Sequence, residues 1–402
     1  MVKFLDFGNM PLAGGFIRPD QLDQDEPFPL VVYFCRKCKE VQLLDIVSPE
    51  ILFKDYRFLA STTKTLSSHF SNYAKEMKER FLTEGRGGNR RFPLVVEFGS
   101  NDGVLLKPFM DLGIKVVGVE PAKNIAGIAR SKGCIVVNDF FNEQTAKKII
   151  DEYGKADMIC ANNVFAHIDD MHEVMKGIKT LLKPDGIYIF EVHYLPELLK
   201  TFQYDMIYHE HLMYHSLTSL TYLLDLFDME IFEVKRIPIH SGSVRVYARN
   251  KDPKKEKDKS VERLLKLENQ SGLDKEETFL EFSKHVFRKR DEIKNTIEKL
   301  KSQGKKIVGY GASGRSVIHM NFSGLGKGEI DYVVDESPER IGRLIPGAHV
   351  PIVSPEVFRK DKVDYAVLFA YNYEKEVLEK EKEFLAKGGK FIIPLPEIRI
   401  VG

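Results

Sequence analysis

The sequence has little cysteine: four residues, Cys35, Cys38, Cys134 and Cys160, in a chain of 402. Thiols this few and this unevenly placed exclude a disulfide framework for a chain of this size. The sequence also has no excess of either charge, because 60 basic and 59 acidic residues leave a formal charge of +1. Nucleic acid and anionic membranes, which attract strongly basic proteins, are therefore not expected as partners.

Long apolar stretches are absent as well. Nowhere do roughly 18 apolar residues follow one another, which is the length that a membrane-spanning helix requires. Asp6 interrupts the region where a signal peptide would have its apolar core. We therefore expect a soluble cytoplasmic protein, long enough for two or three domains with cores of their own.

The most informative stretch, residues 93–106, is an apolar run that ends in an acid and two glycines. It predicts a buried strand, a tight turn and a helix. Gly99 and Gly103 allow the backbone to approach a ligand closely, and Glu97 offers an acceptor. The spacing lacks the middle glycine of the dinucleotide motif and is typical of the turn that S-adenosylmethionine enzymes use. An ordinary strand, turn and helix of an α/β fold is the alternative.

A second acid supports the cofactor hypothesis. Residues 115–119 predict a short strand that ends in Glu120, where a carboxylate can accept both hydroxyls of a ribose. We therefore predict S-adenosylmethionine as the cofactor. The predicted cofactor-binding residues are Glu97, Gly99, Asn101, Asp102, Gly103, Glu120 and Asn162.

Strands and helices alternate regularly through residues 94–191, which predicts a doubly wound α/β sheet with helices on both faces. Residues 251–304 are densely charged, with apolar residues at helical spacing, and predict an amphipathic helical connector. The α/β pattern then restarts at residue 305, and its glycines spell Gly-x-Gly-x-x-Gly at 309–314. Asp335 follows at the distance expected in a dinucleotide site.

The C-terminal glycine turn leaves three interpretations open. It could bind a nicotinamide or flavin cofactor, the pyrophosphate of a nucleotide-linked sugar, or nothing. Arg315 would add charge-assisted hydrogen bonds to a phosphate. We predict a substrate-binding set of Arg245, Gly311, Arg315 and Asp335.

The chemistry-bearing cluster is Tyr208-His-Glu-His211, followed by His215. His209 and His211 lack the helical i, i+4 spacing of a zinc pair, whereas His211 and His215 have it, so a metal site remains a minor alternative to catalysis. Methylation of carbon requires prior removal of a proton, for which histidine is suited. The enolate oxygen formed in that step needs donors, which Tyr208, His167 or Asn163 could supply.

Six segments in the same order resemble the sugar C-methyltransferases that act on nucleotide-linked 4-keto-deoxysugars. They are residues 97–106 (EFGSNDGVLL), 161–170 (ANNVFAHIDD), 208–211 (YHEH), 238–247 (PIHSGSVRVY), 309–312 (GYGA) and 346–352 (PGAHVPI). The resemblance implies that His211 is the base that removes the proton next to the ketone. It also implies that Tyr208, Glu210, Asn163 and His167 line the pocket, that no metal takes part, and that segment 56–58 places an aromatic residue over the substrate.

The resemblance further implies a division of the chain. The expected parts are a small N-terminal β-containing domain with a helical linker (1–80), a class I methyltransferase domain (81–250), the connector (251–304) and a Rossmann-like domain that binds the sugar nucleotide (305–402). The family's N-terminal domain holds zinc, but here only Cys35 and Cys38 of the four ligands are visible. Either the metal has been lost or the true start lies upstream.

Other hypotheses remain. An O-methyltransferase of a small metabolite, a silent sugar-nucleotide-binding protein and a nicotinamide oxidoreductase are the alternatives to C-methylation. The expected partner is a nucleotide-sugar substrate, and a homodimer is left open.

Overall fold

The computed structural model describes residues 1–48, 51–52, 59–82, 93–239 and 241–402. The N-terminal part contains three strands and a long helix. These are β1 (Val2–Met10), β2 (Phe28–Phe34), β3 (Val41–Leu43) and α1 (Lys64–Phe81). The sequence pattern does not reveal β1, because its pairing with β2 shifts register twice and breaks the alternation of buried and exposed residues.

The central part shows the predicted alternation. Its elements are β4 (Leu94–Phe98), α2 (Leu106–Asp111), β5 (Lys115–Val119), α3 (Lys123–Ser131), β6 (Val136–Val137), α4 (Glu143–Tyr153), β7 (Ala156–Asn162), α5 (Met171–Leu181), β8 (Leu182–His193), α6 (Leu195–Lys200), β9 (Met213–Tyr214), α7 (Leu217–Asp225), β10 (Met229–Ile237) and β11 (Ser243–Asn250). The first helix after the glycine turn begins at Leu106 rather than at Gly103, because Asn101 and Gly103 have positive φ angles of 47° and 80°.

Seven strands form the central sheet in the order β10-β11-β8-β7-β4-β5-β6. The pairs from β8 to β6 are parallel, and β10 and β11 add an antiparallel edge. All five residues of β4 are buried, as expected for a central strand that helices cover on both faces. The predicted doubly wound α/β sheet is therefore present, and the carboxyl ends of β4, β5 and β7 meet at one edge.

The connector is two helices rather than one, and a second sheet follows it. The elements are α8 (Lys259–Gln270), α9 (Glu276–Ser302), β12 (Ile307–Tyr310), α10 (Gly314–Ser323), β13 (Val333–Val334), β14 (Ile352–Val353), α11 (Pro355–Lys360), β15 (Tyr365–Leu368), α12 (Glu374–Lys380), α13 (Lys382–Ala386), β16 (Lys390–Ile393) and β17 (Arg399–Val401). The sheet order is β14-β13-β12-β15-β16-β17, parallel except for β17, as the Rossmann-like prediction requires. Of the helices in the described ranges, none has the length and apolarity needed to cross a bilayer.

Residues 204–215 link the three parts of the chain. Although they follow the central strands in sequence, β9 completes the N-terminal sheet, whose order is β1-β2-β3-β9. Tyr204, Ile207 and Tyr214 share one apolar cluster with residues of β1, α9 and α10. We call residues 204–215 the junction segment.

The connector is fastened to the central part by one buried carboxylate. Glu268 accepts hydrogen bonds from the amides of Leu217 and Thr218, at 2.7 and 2.8 Å, where α7 begins. It also accepts from the hydroxyl groups of Thr218 and Tyr194 at 2.6 and 2.7 Å. A single side chain therefore caps α7 and joins it to α8.

We expect Glu268→Ala to lower the free energy of unfolding by about 3 kcal/mol, because it leaves several buried donors without an acceptor. Urea unfolding followed by circular dichroism measures the change. Glu262→Ala, at an exposed position of the same helix, is the matched control. Equal unfolding midpoints for the two variants would contradict the assigned role of Glu268.

Candidate active site

The turn after β4 is shaped so that only glycine fits at its start. Gly99 has a φ of +63°, and a Cβ atom there would lie 2.2 Å from a methyl group of Val164. Gly103 has a φ of +80°, and its Cβ would lie 3.0 Å from the Cys134 sulfur. Both glycines are therefore required by backbone conformation and by packing against the neighbouring strand-to-helix loops.

Three buried acceptors around this turn have no hydrogen-bond partner within the described structure. They are Glu97 Oε2, Asp102 Oδ1 and Asn162 Oδ1. Asn162 donates to the other oxygen of Glu97 at 3.3 Å, and Lys132 binds the other oxygen of Asp102 at 2.9 Å. Burial raises the pKa of Glu97 well above its usual value. The site thus presents acceptors that call for donors from a ligand.

Glu120 and Asn101 hold the turn in shape. Glu120 accepts from the amides of Asn101 and Ala122 at 3.0 and 2.9 Å, and burial raises its pKa. The side-chain oxygen of Asn101 accepts from the Ala60 amide at 3.0 Å, and Ser61 donates to Asp102. The predicted cofactor residues are therefore brought together, and residues 60–61 ahead of α1 cover them.

These residues fit S-adenosylmethionine. Its ammonium group and ribose hydroxyls are donors, which matches the unpaired acceptors on Glu97, Asp102 and Asn162. The glycine turn provides the close backbone approach that such a ligand requires. Sequence reasoning missed Lys132 and Ser61, whose contacts with Asp102 carry no sequence motif.

His211 lies in the junction segment with one ring nitrogen already engaged. Its Nδ1 is 3.0 Å from the carbonyl oxygen of Met206. Because a carbonyl can only accept, Nδ1 must carry the proton, and Nε2 is the nitrogen with a basic lone pair. The ring of Tyr208 lies over His211 with centroids 4.1 Å apart, and His167 is at 5.0 Å.

His167 and Glu210 meet at the same place. His167 Nδ1 donates to the Glu210 carbonyl oxygen at 2.5 Å, and burial lowers the pKa of His167. Burial raises the pKa of the Glu210 carboxyl to about 7, against an opposing hydrogen bond from the Gly14 amide. Gly14 leaves room for this carboxyl, because a Cβ there would lie 3.0 Å from Glu210 Oε1. The structure therefore brings a neutral histidine and a weakly acidic glutamic acid to the predicted base.

Asn163 stands next to the cofactor turn. Its φ of 57° is left-handed, and its amide donates to the Glu191 carbonyl oxygen at 2.8 Å. This conformation ends β7 and turns Val164 onto Gly99. Asn163 thus connects the cofactor turn to the loop that carries His167.

The other two histidines of the cluster have internal partners. His209 Nε2 lies 3.2 Å from the carbonyl oxygens of Phe28 and Pro29, and burial lowers its pKa. His215 pairs with Glu40 at 3.1 Å. Both side chains attach the junction segment to the N-terminal sheet. His211 and His215 face different partners, so their i, i+4 spacing does not create a metal site.

The four residues predicted to bind substrate also have internal partners, and their role in substrate binding stays a prediction. Arg245 binds Glu191 at 2.7 Å and Glu76 at 3.1 Å, and it is almost fully buried. His69 contacts the same Glu191 carboxylate at 2.9 Å. Arg245 therefore fastens α1 to the central sheet.

The residues of the C-terminal glycine turn are likewise in close contact with other segments of the protein. A Cβ at Gly311 would lie 2.6 Å from that of Ala370, and one at Gly314 would lie 3.2 Å from that of Ala13. Both oxygens of Asp335 accept backbone amides, from Ala312 and from Ser337, each at 2.8 Å. These close contacts explain the glycines by packing and weaken the nicotinamide hypothesis.

Arg315 binds Asp205 of the junction segment through two hydrogen bonds of 3.1 Å. It also donates to Tyr371, and Nη1 lies 3.4 Å from Ser241 and from Asn372. The guanidinium group is therefore used inside the fold. Sequence reasoning missed Asp205, whose partner lies 110 positions away.

The Cys35–Cys38 pair does not form a zinc site from the residues described. The Lys39 amide donates to the Cys35 carbonyl oxygen at 2.9 Å, so the two thiols flank a tight turn. Burial raises the pKa of Cys38 to about 11. Within the described ranges, no group of three or more potential metal ligands occurs. Two thiols do not meet the four-ligand requirement of structural zinc. Segment 56–58 lies outside the described residues.

Comparison with known proteins gives three family matches along the chain. Residues 1–53 match a family described as a putative zinc binding domain, residues 68–234 a methyltransferase domain, and residues 238–396 a C-methyltransferase C-terminal domain. The C-methyltransferase NovU of Streptomyces niveus is 37% identical over 399 residues, which cover 99% of this chain and 93% of NovU.

Other similarities are partial. The ubiquinone biosynthesis O-methyltransferase of Bartonella bacilliformis is 26% identical over 96 residues, 23% of this chain and 38% of that protein. The magnesium protoporphyrin IX methyltransferase of Synechocystis PCC 6803 with bound SAH covers 50% of this chain and 92% of its own, with 13% identity and a TM-score of 0.35. The glycopeptide N-methyltransferase MtfA with S-adenosyl-L-methionine covers 45% and 94%, also with 13% identity and a TM-score of 0.35. Structural similarity at this level supports no inference about substrate.

The raised pKa of Glu210 predicts a pH-dependent stability. The usual value for the carboxyl is 4.5 and the folded value is about 7, so the folded state binds the proton more tightly. Stability is therefore fully retained below about pH 4.5, falls as the pH rises to about 7, and stays reduced above it.

We expect Glu210→Gln, which mimics the protonated acid, to stabilise the protein by roughly 3 kcal/mol more at pH 8 than at pH 4. Urea unfolding at the two pH values measures this difference. Glu262→Gln, at an exposed position, is the control for the effect of a Glu→Gln change that does not involve a buried carboxyl. A gain for Glu210→Gln that does not change with pH would show that folding does not raise the pKa of the Glu210 carboxyl, and would contradict the prediction.

Proposed function

The chain belongs to the S-adenosylmethionine-dependent C-methyltransferase family, and from this premise we propose that it methylates a carbon next to the ketone of a nucleotide-linked 4-keto-deoxysugar. S-adenosylmethionine, when bound, supplies the methyl group as an electrophile. Carbon is not nucleophilic until a neighbouring proton is removed, so the protein must provide a base. That requirement separates C-methylation from methylation of oxygen.

The observation that carries the proposal is the hydrogen bond between His211 Nδ1 and the Met206 carbonyl. It directs the basic lone pair to Nε2 before any substrate arrives. In the proposed reaction Nε2 takes the proton next to the ketone, and the electron pair moves onto the ketone oxygen as an enolate. The enolate carbon would then attack the methyl group that S-adenosylmethionine supplies, the methyl–sulfur bond would break with its electron pair kept by sulfur, and S-adenosylhomocysteine would leave.

Groups beside His211 support stabilisation of the enolate. Tyr208 is in ring contact with His211 and carries a hydroxyl that can donate. The Glu210 carboxyl has a pKa of about 7, so near neutral pH much of it remains a neutral acid. A neutral acid can donate a hydrogen bond to an oxyanion without adding negative charge beside it. Asn163 and His167 complete the proposed pocket.

The nucleotide-sugar assignment rests on the six sequence segments and on the family of residues 238–396. The C-terminal turn reaches the site, since a Cβ at Gly314 would lie 3.9 Å from the Tyr208 ring. We propose that the sugar lies beside His211 and that the nucleotide extends towards the Rossmann-like domain.

The first experiment is solvent-deuterium exchange at the carbons that flank the ketone. Wild-type enzyme with sinefungin, a non-reactive cofactor analogue, is incubated in D2O with a panel of 4-keto sugar nucleotides, and NMR follows the loss of each proton. We expect exchange at one carbon of one sugar, and a loss of at least about 100-fold in His211→Ala. His172→Ala, at an exposed position of the central part, should retain exchange. Absence of exchange with every sugar would refute the proposal.

A second test separates the base from the cofactor site. We expect His211→Ala to bind S-adenosylmethionine with nearly unchanged affinity, because its contacts lie in the junction segment. Glu97→Gln should weaken binding by about 10-fold, since it replaces an acceptor with a donor at one oxygen. Isothermal titration calorimetry measures both. A large loss of affinity in His211→Ala would overturn this division of roles.

A further inference from the structure

A buried ion pair joins the Rossmann-like domain to the junction segment. Arg315, in the first turn of α10, and Asp205 are 8% and 1% exposed. The arginine Nε lies 3.1 Å from Asp205 Oδ2, and Nη2 lies 3.1 Å from Asp205 Oδ1. Tyr371 donates to the same carboxylate at 2.9 Å. Such a two-pronged pair defines both the distance and the angle between its partners.

The sequence position of Asp205 links this ion pair to His211. Asp205 immediately precedes Met206, whose carbonyl oxygen accepts the hydrogen bond from His211 Nδ1. Residues 204–206 form a single 3-10 turn, so the Asp205 side chain and the Met206 carbonyl belong to one rigid unit. Movement of Asp205 therefore moves the carbonyl that accepts the hydrogen bond from His211 Nδ1.

A second contact from the same helix supports the turn on its other side. Tyr204 and His319 are hydrogen-bonded at 3.0 Å, and their rings stack with centroids 5.4 Å apart. His319 lies one helical turn after Arg315 in α10. Two neighbouring residues of the junction segment are thus held by two positions on one face of α10.

We propose that Arg315 is a positioning residue for catalysis: by holding Asp205 it sets the Met206 carbonyl, and through it the Nδ1-protonated form of His211 whose Nε2 acts as base. The role of the tautomer in catalysis rests on the proposed function, whereas the effect of Arg315 on the tautomer does not. The Rossmann-like domain then contributes to the base as well as to the proposed substrate pocket.

An apolar contact in place of the ion pair would not define the distance and angle between its partners. Buried ion pairs contribute little net stability because desolvation offsets most of the attraction, so geometric definition is the stronger reason for one here. Lysine in place of Arg315 keeps the charge but lacks the planar fork. Arg315→Lys therefore tests geometry rather than charge.

The direct readout is the tautomer of His211, measured by nitrogen NMR on protein labelled with 15N-histidine. The His211 signals are identified by their loss in His211→Gln. We expect the wild type to hold the proton on Nδ1, and Arg315→Lys to shift a measurable fraction to Nε2. Asp205→Asn keeps one oxygen acceptor for Arg315 and Tyr371, so we expect it to produce a smaller shift of the His211 tautomer. It replaces Arg315→Lys as the test variant if Arg315→Lys does not fold.

The matched control is Arg359→Lys. Arg359 makes the same two-pronged contact with Glu381, at 3.1 and 2.7 Å, within the Rossmann-like domain. Among the described residues, its hydrogen-bond partner is Glu381 and not a residue of the junction segment, so its replacement should leave the His211 tautomer unchanged. Both variants should bind S-adenosylmethionine as the wild type does.

Kinetics complete the test. In the exchange assay we expect Arg315→Lys to lower kcat on the order of 10- to 100-fold with little change in KM, because a small misplacement affects the reacting geometry more than binding. A wild-type tautomer in folded Arg315→Lys and Asp205→Asn would overturn the inference. If the tautomer shifts but the wild type exchanges no sugar proton, the proposed function fails and the positioning role stands.

Discussion

The hydrogen bond from His211 Nδ1 to the Met206 carbonyl is the contact on which the candidate site depends. It determines which nitrogen of His211 carries the proton. Because this hydrogen bond exists before substrate binds, the site needs no free energy to reorganise it during the reaction. All three parts of the chain contact the junction segment, which contains both residues of this hydrogen bond. The N-terminal sheet binds the segment through His209 and β9, the central part through His167, and the Rossmann-like domain through Arg315.

The cofactor half of the site is built differently. Glu97, Asp102 and Asn162 stand on strand ends of one sheet and leave acceptors unpaired, which suits a ligand rich in donors. The proposed base is placed by contacts between parts, whereas the cofactor turn belongs to the central sheet and is covered by Ala60 and Ser61. Variants at domain contacts should therefore affect proton removal before they affect cofactor binding.

The C-terminal Gly-x-Gly-x-x-Gly motif predicts the fold of this domain correctly but does not identify a ligand. The Rossmann-like sheet is present, but Gly311 and Gly314 are explained by close contacts with Ala370 and Ala13. Arg315, which resembled a phosphate ligand in sequence, is used to hold Asp205. Arg315 thus lies at the contact between this domain and the junction segment, and substrate binding by the turn stays a prediction.

Local pattern was enough to predict the central alternation of strands and helices and the glycine turn with Glu97 and Glu120, whereas the catalytic role of residues 208–211 stays a prediction. These features depend on hydrophobic period and on short-range backbone geometry, which neighbouring residues specify. The residue pattern by itself could not separate His211 from His209 and His215, which only the family resemblance did, and it could not reveal the pairing of Arg245 and Arg315. Their partners lie far away in the chain, and no local pattern records which distant group will reach a given side chain. Only the tertiary structure decides that, because the packing of three parts around the junction segment gives His209 and His215 partners in the N-terminal part and leaves His211 bonded to the Met206 carbonyl through Nδ1.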